Sequence, residues 1–318
     1  MADRDYVPRF SGHETFPFRY GWLTKFTQFV ARGVDESEEE RSVLEQQMIA
    51  LGVGKNMVGA MRHWAQASGV VNEGAREVSD LGSFLIGDAA RLGVDPYFEH
   101  DASLWLIHWR LAGPLLSAAT HRTATWYWAF SHFPSSQFTR ETLLGELLAA
   151  AQANGWPKAS KDTLKRDIDC FIGTYAPGRS ASDDALEDTI ECPLAELGLV
   201  RSSGDGKSFE FWNGDKRGLP DPLFAFSVAE YLKIRGSARS LSLEALAFEP
   251  GSPGRVFRLG VEDVALRMER LEDASLGRFV YADTAGLRQV QDLKPDVDPL
   301  QILSCAYDRK GVSRGGQA

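Results

Sequence analysis

Hydrophobic positions recur at helical spacing in three separated stretches, each followed by short alternating runs around Gly, Asn or Asp. In the first, Val43, Leu44, Met48 and Leu51 share one helical face. Gly52 and Gly54 flank Val53, and glycine tolerates the positive φ that a tight helix–helix turn needs. Met57, Met61, Trp64, Ala65 and Ser68 then mark an inward face. Lys55, Gly59, Arg62 and Gln66 point the other way, flanked by Asn56 and His63. Gly69 stops the helix. Val70-Val71 and Arg76-Glu77-Val78 predict short strands on either side of Asn72-Glu73-Gly74. Acidic residues Asp35 to Glu40 favour the start of the first helix, where the helix dipole welcomes negative charge. The whole reads as a winged helix-turn-helix over residues 35–86.

Two later stretches follow the same plan. Thr139 caps a helix carrying Leu143, Leu144, Leu147, Leu148 and Ala151, which Asn154-Gly155-Trp156-Pro157 breaks. Ser160 caps the next, with Leu164, Ile168, Phe171 and Ile172 inward and Lys161, Asp162, Lys165, Arg166 and Asp169 outward. A short helix around Pro193 to Leu197 precedes a hairpin with Gly204-Asp205-Gly206 at its tip. In the third stretch, Ser242 to Phe248 and Val261 to Leu271 predict helices. Phe279–Tyr281 and Leu287–Val290 predict wing strands around Asp283 to Gly286. Between the first two stretches lies an aromatic block with four of the eight tryptophans, where Leu104, Trp105, His108, Leu111 and Leu115 form a stripe. The expected fold is mainly α with small β-hairpin wings: multiple winged helix-turn-helix modules around an aromatic-rich helical core. The expected units are 1–86 (lead-in and first winged helix), 87–136 (helical core linker), 137–235 (second), 236–308 (possible third) and a flexible tail, 309–318.

Composition narrows the role. A net charge of −9 argues against indiscriminate coating of nucleic acid, so DNA contact must use local basic patches. Cys170, Cys192 and Cys305 are odd in number and widely spaced, which points to a reducing cytoplasm and excludes paired zinc-ligand spacing. No signal peptide or membrane span is predicted.

The outward residues of the first module suit DNA. Lysine and arginine reach phosphates or guanine edges, and asparagine pairs bidentately with adenine. Lys55, Asn56 and Arg62 are therefore candidate contacts, although winged helices also serve as protein-binding modules. Lys161, Lys165 and Arg166 form the second basic patch. Asp162–Arg166 and Lys165–Asp169 pairs at i,i+4 offer the alternative of a self-paired, solvated face. His13 and Glu14 precede Phe16-Pro17; a His–Glu pair binds metal or moves protons, or simply makes a hydrogen-bonded corner. Asp95, Glu99, His100 and Asp101 could hold magnesium or manganese. The simpler reading is that Asp95-Pro96 opens a turn and Asp101 or Ser103 caps a helix. His108, on the apolar stripe, reads as a satisfied core histidine. Pro220-Asp221 followed by Glu230-Tyr-Leu-Lys233 misses a PD…ExK nuclease spacing by one residue. Serine-triad, P-loop and dinucleotide signatures are absent.

Five strings carry a family resemblance: GHETFPFRYGWLTK at 12–25, LGVGKNMVGAMRHW at 51–64, DPYFEHDASLWLIHW at 95–109, TWYWAFSHF at 125–133 and KDTLKRDIDCFIGTY at 161–175. The chain resembles a bacterial family of an uncharacterised domain whose members sit beside DNA phosphorothioation genes, in systems of the SspABCD kind. The resemblance covers residues 10 to about 230. It implies a nicking endonuclease acting on double-stranded DNA in phosphorothioate modification and anti-phage defence. The partners it implies are a cysteine desulfurase, an ATPase and an ATP-pyrophosphatase-like enzyme. The nick would let sulfur replace a non-bridging phosphate oxygen, with Mg2+ or Mn2+ as cofactor. Among this chain's residues, the site expected for that chemistry is His13 and Glu14 as the catalytic pair, with Glu14, Glu99 and Asp101 as metal ligands. The alternative is a non-catalytic DNA-recognition or scaffold subunit.

Overall fold

The structure is a computed structural model that describes residues 7–33, 40–115, 120–157, 159–176, 192–204, 206–214 and 216–308. The fold is mainly helical, with two small antiparallel sheets and a two-residue parallel pairing of β1 (Val7–Pro8) with β2 (Thr120–His121). Most of the expected Asp35 to Glu40 run, Asp205 at the second hairpin tip and the tail at 309–318 lie outside the described residues.

The first unit opens with α1 (Trp22–Ala31), then α2 (Glu40–Leu51) and α3 (Lys55–Ala67). Gly52 takes the left-handed turn at φ 69°, whereas Gly54 is extended and serves as N-cap of α3. The expected wing strands reduce to a single antiparallel bridge, Val71 to Val78. The reason is local. The Val70 and Val71 N–H groups still bond to the Ala65 carbonyl at the end of α3, and Ser79 already caps α4 (Asp80–Leu85). Too few residues remain for a ladder.

The aromatic block forms α5 (Asp101–Ala112) and α6 (Ala124–Ser131). α5 is buried on nearly every side, so it carries no single stripe; Gly113 caps it and Leu115 lies beyond its end. His108 is a satisfied core histidine, bonded to Tyr175 Oη at 2.7 Å and the Val256 carbonyl at 2.8 Å. Burial pushes its pKa down to about 3.

β3 (Gln137–Thr139) leads into α7 (Arg140–Asn154) and α8 (Lys161–Tyr175). Thr139 and Ser160 cap these helices, each accepting at 3.2 Å from the backbone three residues on. A 3-10 turn, Pro193–Leu197, precedes β4 (Val200–Ser202) and β5 (Ser208–Phe211). The sheet order is β3-β5-β4, antiparallel, with Phe138 opposite Phe209 and Val200 opposite Phe211. α9 (Asp221–Lys233) then crosses to the third unit.

There β6 (Ser240–Ser242) leads into α10 (Leu243–Phe248), α11 (Pro253–Val256), α12 (Val261–Glu269) and α13 (Leu271–Ala274). β7 (Phe279–Thr284) and β8 (Leu287–Asp292) complete a sheet of order β6-β8-β7. Ala285 and Gly286, at φ 53° and 83°, make the tight turn between them. α14 (Pro299–Ser304) packs against α9. One hydrophobic cluster runs through all three units, with Trp64, Trp109 and Trp126 among its largest side chains. Among the described residues no helix is long and apolar enough to cross a membrane.

Candidate functional site

Residues 11–17, the SGHETFP loop, lie between α3 and α8 and are tied to both. Ser11, Glu14 and Thr15 sit at φ 62°, 51° and 68°, the left-handed region that costs an L-residue about 1–2 kcal/mol. Such backbone persists only where surrounding contacts hold it. Asp167 of α8 supplies the main one. Its Oδ1 accepts from the Ser11 N–H and from His13 Nε2, both at 2.8 Å. The Thr15 N–H donates to His13 Nδ1 at 3.0 Å, which assigns the ring proton to Nε2. The Phe16 carbonyl accepts from Trp64 Nε1 of α3 at 3.1 Å and from Cys170 Sγ of α8 at 3.4 Å. Gly12 lies flat on the His63 ring, where a methyl group would overlap Nδ1, and Gly173 leaves room for Pro17.

The interior behind this loop is polar and incompletely satisfied. His13, His63 and Asp167 are all buried. The His13 and His63 rings meet edge-on at 5.7 Å, and the Trp126 ring lies 6.1 Å from His13. Asp167 Oδ2, both His63 ring nitrogens and Trp126 Nε1 are buried with no hydrogen-bond partner among the described residues. Burial, reinforced by His13, Arg122 and Arg9, holds the His63 pKa well below the usual histidine range, so His63 is neutral.

His13, expected as a base, is thus enclosed with both nitrogens engaged, and it braces the loop. Glu14 is exposed at the rim, its side chain lying over Gly59 of α3. Lys55 and Asn56 are exposed about one helical turn away. Arg62 is half-buried and ties α3 to α2, donating to Gln47 Oε1 at 2.6 Å. His63, expected beside the outward face, is in the core. On α8, Lys161, Lys165 and Arg166 are exposed. The self-paired alternative is not what forms. Asp169 pairs with Arg140 at 2.8 Å, and Arg166 Nε donates to the Asp162 carbonyl at 3.3 Å. The corresponding helix of the third unit, α12, exposes Val261, Glu262, Leu266 and Glu269 and presents no basic face.

Glu99 and Asp101 are exposed at the entrance to α5. Asp95 organises that entrance. Its carboxylate takes the Glu99 and His100 N–H groups at 2.9 and 3.0 Å and the Ser103 hydroxyl at 2.5 Å. The cap of α5 is His100, whose Nδ1 accepts from Ala102 N–H, in place of the expected Asp101 or Ser103. Glu14, Glu99 and Asp101 do not assemble a metal site: among the described residues no three His, Cys, Asp or Glu side chains are grouped so as to hold a metal ion. The near-PD…ExK residues are occupied elsewhere. Asp221 pairs with Arg267 and Arg270, both at 2.6 Å, and Glu230 pairs with Trp109 Nε1 and Arg110 at 2.6 and 2.9 Å.

Asp167 escaped the sequence reading, although it left a signal. It stands three residues after Leu164 and four before Phe171, on the apolar stripe of α8, where a carboxylate needs a partner.

The family model described as "Protein of unknown function (DUF4007)" matches residues 10–307. The chain belongs to the DUF4007 family. The match takes in all five strings quoted above, so the loop, both basic helices and α5 lie within the DUF4007 region. Two solved structures are similar from end to end. A crystal structure of SspB superposes with a TM-score of 0.79 at 29% identity, over 96% of this chain and 90% of SspB. A crystal structure of magnesium ion-bound SspB gives 0.79 and 29%, over 95% and 89%. No curated protein matched the chain.

Proposed function

We propose that this chain is the SspB-type, DNA-engaging subunit of a bacterial DNA phosphorothioate modification and anti-phage defence system. In this reading it nicks one strand of double-stranded DNA with Mg2+ or Mn2+. Its partners are cysteine desulfurase, ATPase and ATP-pyrophosphatase-like subunits. The observation that carries the reading is the end-to-end similarity to SspB. The order of one strand, then helices, then two antiparallel strands in the second and third units, which gives the sheets β3-β5-β4 and β6-β8-β7, supports reading them as winged helices. The first unit keeps the two helices with a reduced wing.

DNA contact belongs to the first two units. Lys55 and Asn56 on α3 and Lys161, Lys165 and Arg166 on α8 are exposed cations and amides on helices joined by one braced loop. α12, which exposes carboxylates and apolar side chains but no cation, is assigned to protein contact. An acidic chain using such local patches binds DNA weakly alone and in a salt-sensitive way. His13 is assigned to positioning: with Asp167 it fixes the loop that presents Glu14. Mg2+ is commonly held by one or two carboxylates together with substrate phosphates, so a preformed three-ligand cage is not a requirement of the proposed activity.

Deleting the gene from a host that carries the system tests this role. Phosphorothioate-linked dinucleotides, read by mass spectrometry after nuclease digestion, should vanish and return on complementation. Undiminished modification would remove the chain from the pathway. The second reading, a non-catalytic recognition or scaffold subunit, is favoured by the enclosure of His13 and the dispersed carboxylates. It predicts a salt-sensitive mobility shift without strand scission.

A further inference from the structure

A cleft of about 340 Å³ opens at the far end of α3, between the reduced wing, the end of α5 and the segment after β2. That volume lies at the lower end of the range for small-ligand sites. Gln66 stands 11 positions beyond Lys55 on α3, so the cleft lies roughly 16 Å from the Lys55 patch. Its walls are part apolar, from Val71, Trp109 and Pro114, and its charged lining is two arginines, Arg110 and Arg122, each beside a carboxylate, Glu230 and Glu73.

The two arginines are held differently. Arg110 is fixed, bonded to Glu230, a carboxylate only 12% exposed that also accepts from Trp109 Nε1. Gly69, in the left-handed region at φ 73°, lets the guanidinium lie against the main chain; a methyl there would stand 2.8 Å from Nη2. Arg122 is only 10% exposed, yet its counter-charge is Glu73, a wing-turn carboxylate 52% exposed, at 2.6 Å. A nearly buried guanidinium is thus neutralised by a removable group at the cleft mouth. Arginine's planar fork suits phosphate as well as carboxylate.

We propose that this cleft binds the phosphate group of a single nucleotide unit, with Arg122 and Arg110 as donors and Glu73 as the internal anion it displaces. The phosphate belongs either to a free mononucleotide or to a DNA strand. The site stands apart from the nicking activity proposed above, because its test needs neither metal nor partners.

Isothermal titration of the full chain with inorganic phosphate, thymidine 5′-monophosphate and thymidine provides the test. The monophosphate should bind and thymidine should not. Glu73→Gln, at an exposed position, should tighten the monophosphate by about fivefold or more, because the competitor is gone. Arg122→Gln, with circular dichroism to check folding, should weaken it about tenfold or more. A duplex oligonucleotide distinguishes the sources. If Glu73→Gln also tightens the duplex, the strand supplies the phosphate; if it tightens the monophosphate alone, a free nucleotide does. No binding of the monophosphate to either wild type or Glu73→Gln, or weaker binding after Glu73→Gln, overturns the proposal.

Discussion

The brace between the SGHETFP loop and α8 makes a quantitative prediction at Asp167. Replacing Asp167 with alanine leaves the His13 Nε2–H and the Ser11 N–H without their acceptor. Each buried, unpaired donor costs about 1–3 kcal/mol, so Asp167→Ala should cost about 2–6 kcal/mol. Asp167→Asn keeps a carbonyl oxygen where Oδ1 stands and can accept both bonds. Its amide group would occupy the place of Oδ2, which has no partner among the described residues to lose. That change should cost only about 1 kcal/mol. The pair separates acceptor geometry from charge. Urea unfolding of the full chain, followed by tryptophan fluorescence and far-UV circular dichroism, measures both. Trp64 and Trp126 sit beside His13, so fluorescence reports on this corner. The reasoning is refuted if Asp167→Ala lies within about 0.5 kcal/mol of wild type, the range of neutral surface changes. It is equally refuted if Asn is as damaging as Ala, for then the charge is what the fold uses.

Further outcomes follow from the geometry of the loop, the core histidines and α3. Gly12→Ala drives a methyl into His63, 3.1 Å from Cε1 and closer still to Nδ1, and should cost about 1–3 kcal/mol by overpacking. Gly59→Ala meets Glu14 at an ordinary 3.4 Å and should be neutral or stabilising; equal melting temperatures for Gly12→Ala and wild type would contradict the close packing. Burial lowers His108 to about 3 and His121 to about 4, so below the unfolded value near 6.5 the unfolded chain binds more protons. Stability should therefore be full above pH 6.5 and fall as pH drops toward 4, by up to about 1.4 kcal/mol per unit for each histidine. Urea midpoints unchanged between pH 7.5 and 5.5 would contradict this. Lys55→Ala with Asn56→Ala should weaken duplex binding and reduce the salt slope by about 0.9 per lost phosphate contact, at unchanged melting temperature. Arg62→Ala should instead lower the melting temperature, since it ties α3 to Gln47; lost DNA affinity with unchanged stability would reverse that assignment.

Much of the helical frame was legible because it is local. The apolar stripe of α8, the caps at Thr139 and Ser160, and the third hairpin follow from neighbours a few residues apart. Boundaries failed where helix-end bonding or tertiary contacts decide. The first wing shrank because Val70 and Val71 remain bonded to the end of α3, and α5 lost its stripe because neighbours cover every face. The site was less legible. His13 meets Asp167 across 154 positions, a separation on which no local pattern reports. Arg62 looked like a DNA contact by periodicity and became a tether because α2 places Gln47 beside it. His63 looked exposed beside Arg62, but α3 is covered by both α1 and the SGHETFP loop, which narrows its free face to Lys55, Asn56 and their neighbours.

The most direct measurement of the central claim is strand scission itself. Contaminant-free protein is incubated with supercoiled plasmid and Mg2+ or Mn2+, alone and with the desulfurase, ATPase and ATP-pyrophosphatase-like subunits, and the topoisomers are resolved on a gel. The account predicts conversion to open circular DNA without a linear product, abolished by chelation and reduced by Glu14→Gln. Plasmid that stays supercoiled with both metals and all partners present would contradict it and leave the chain a recognition subunit.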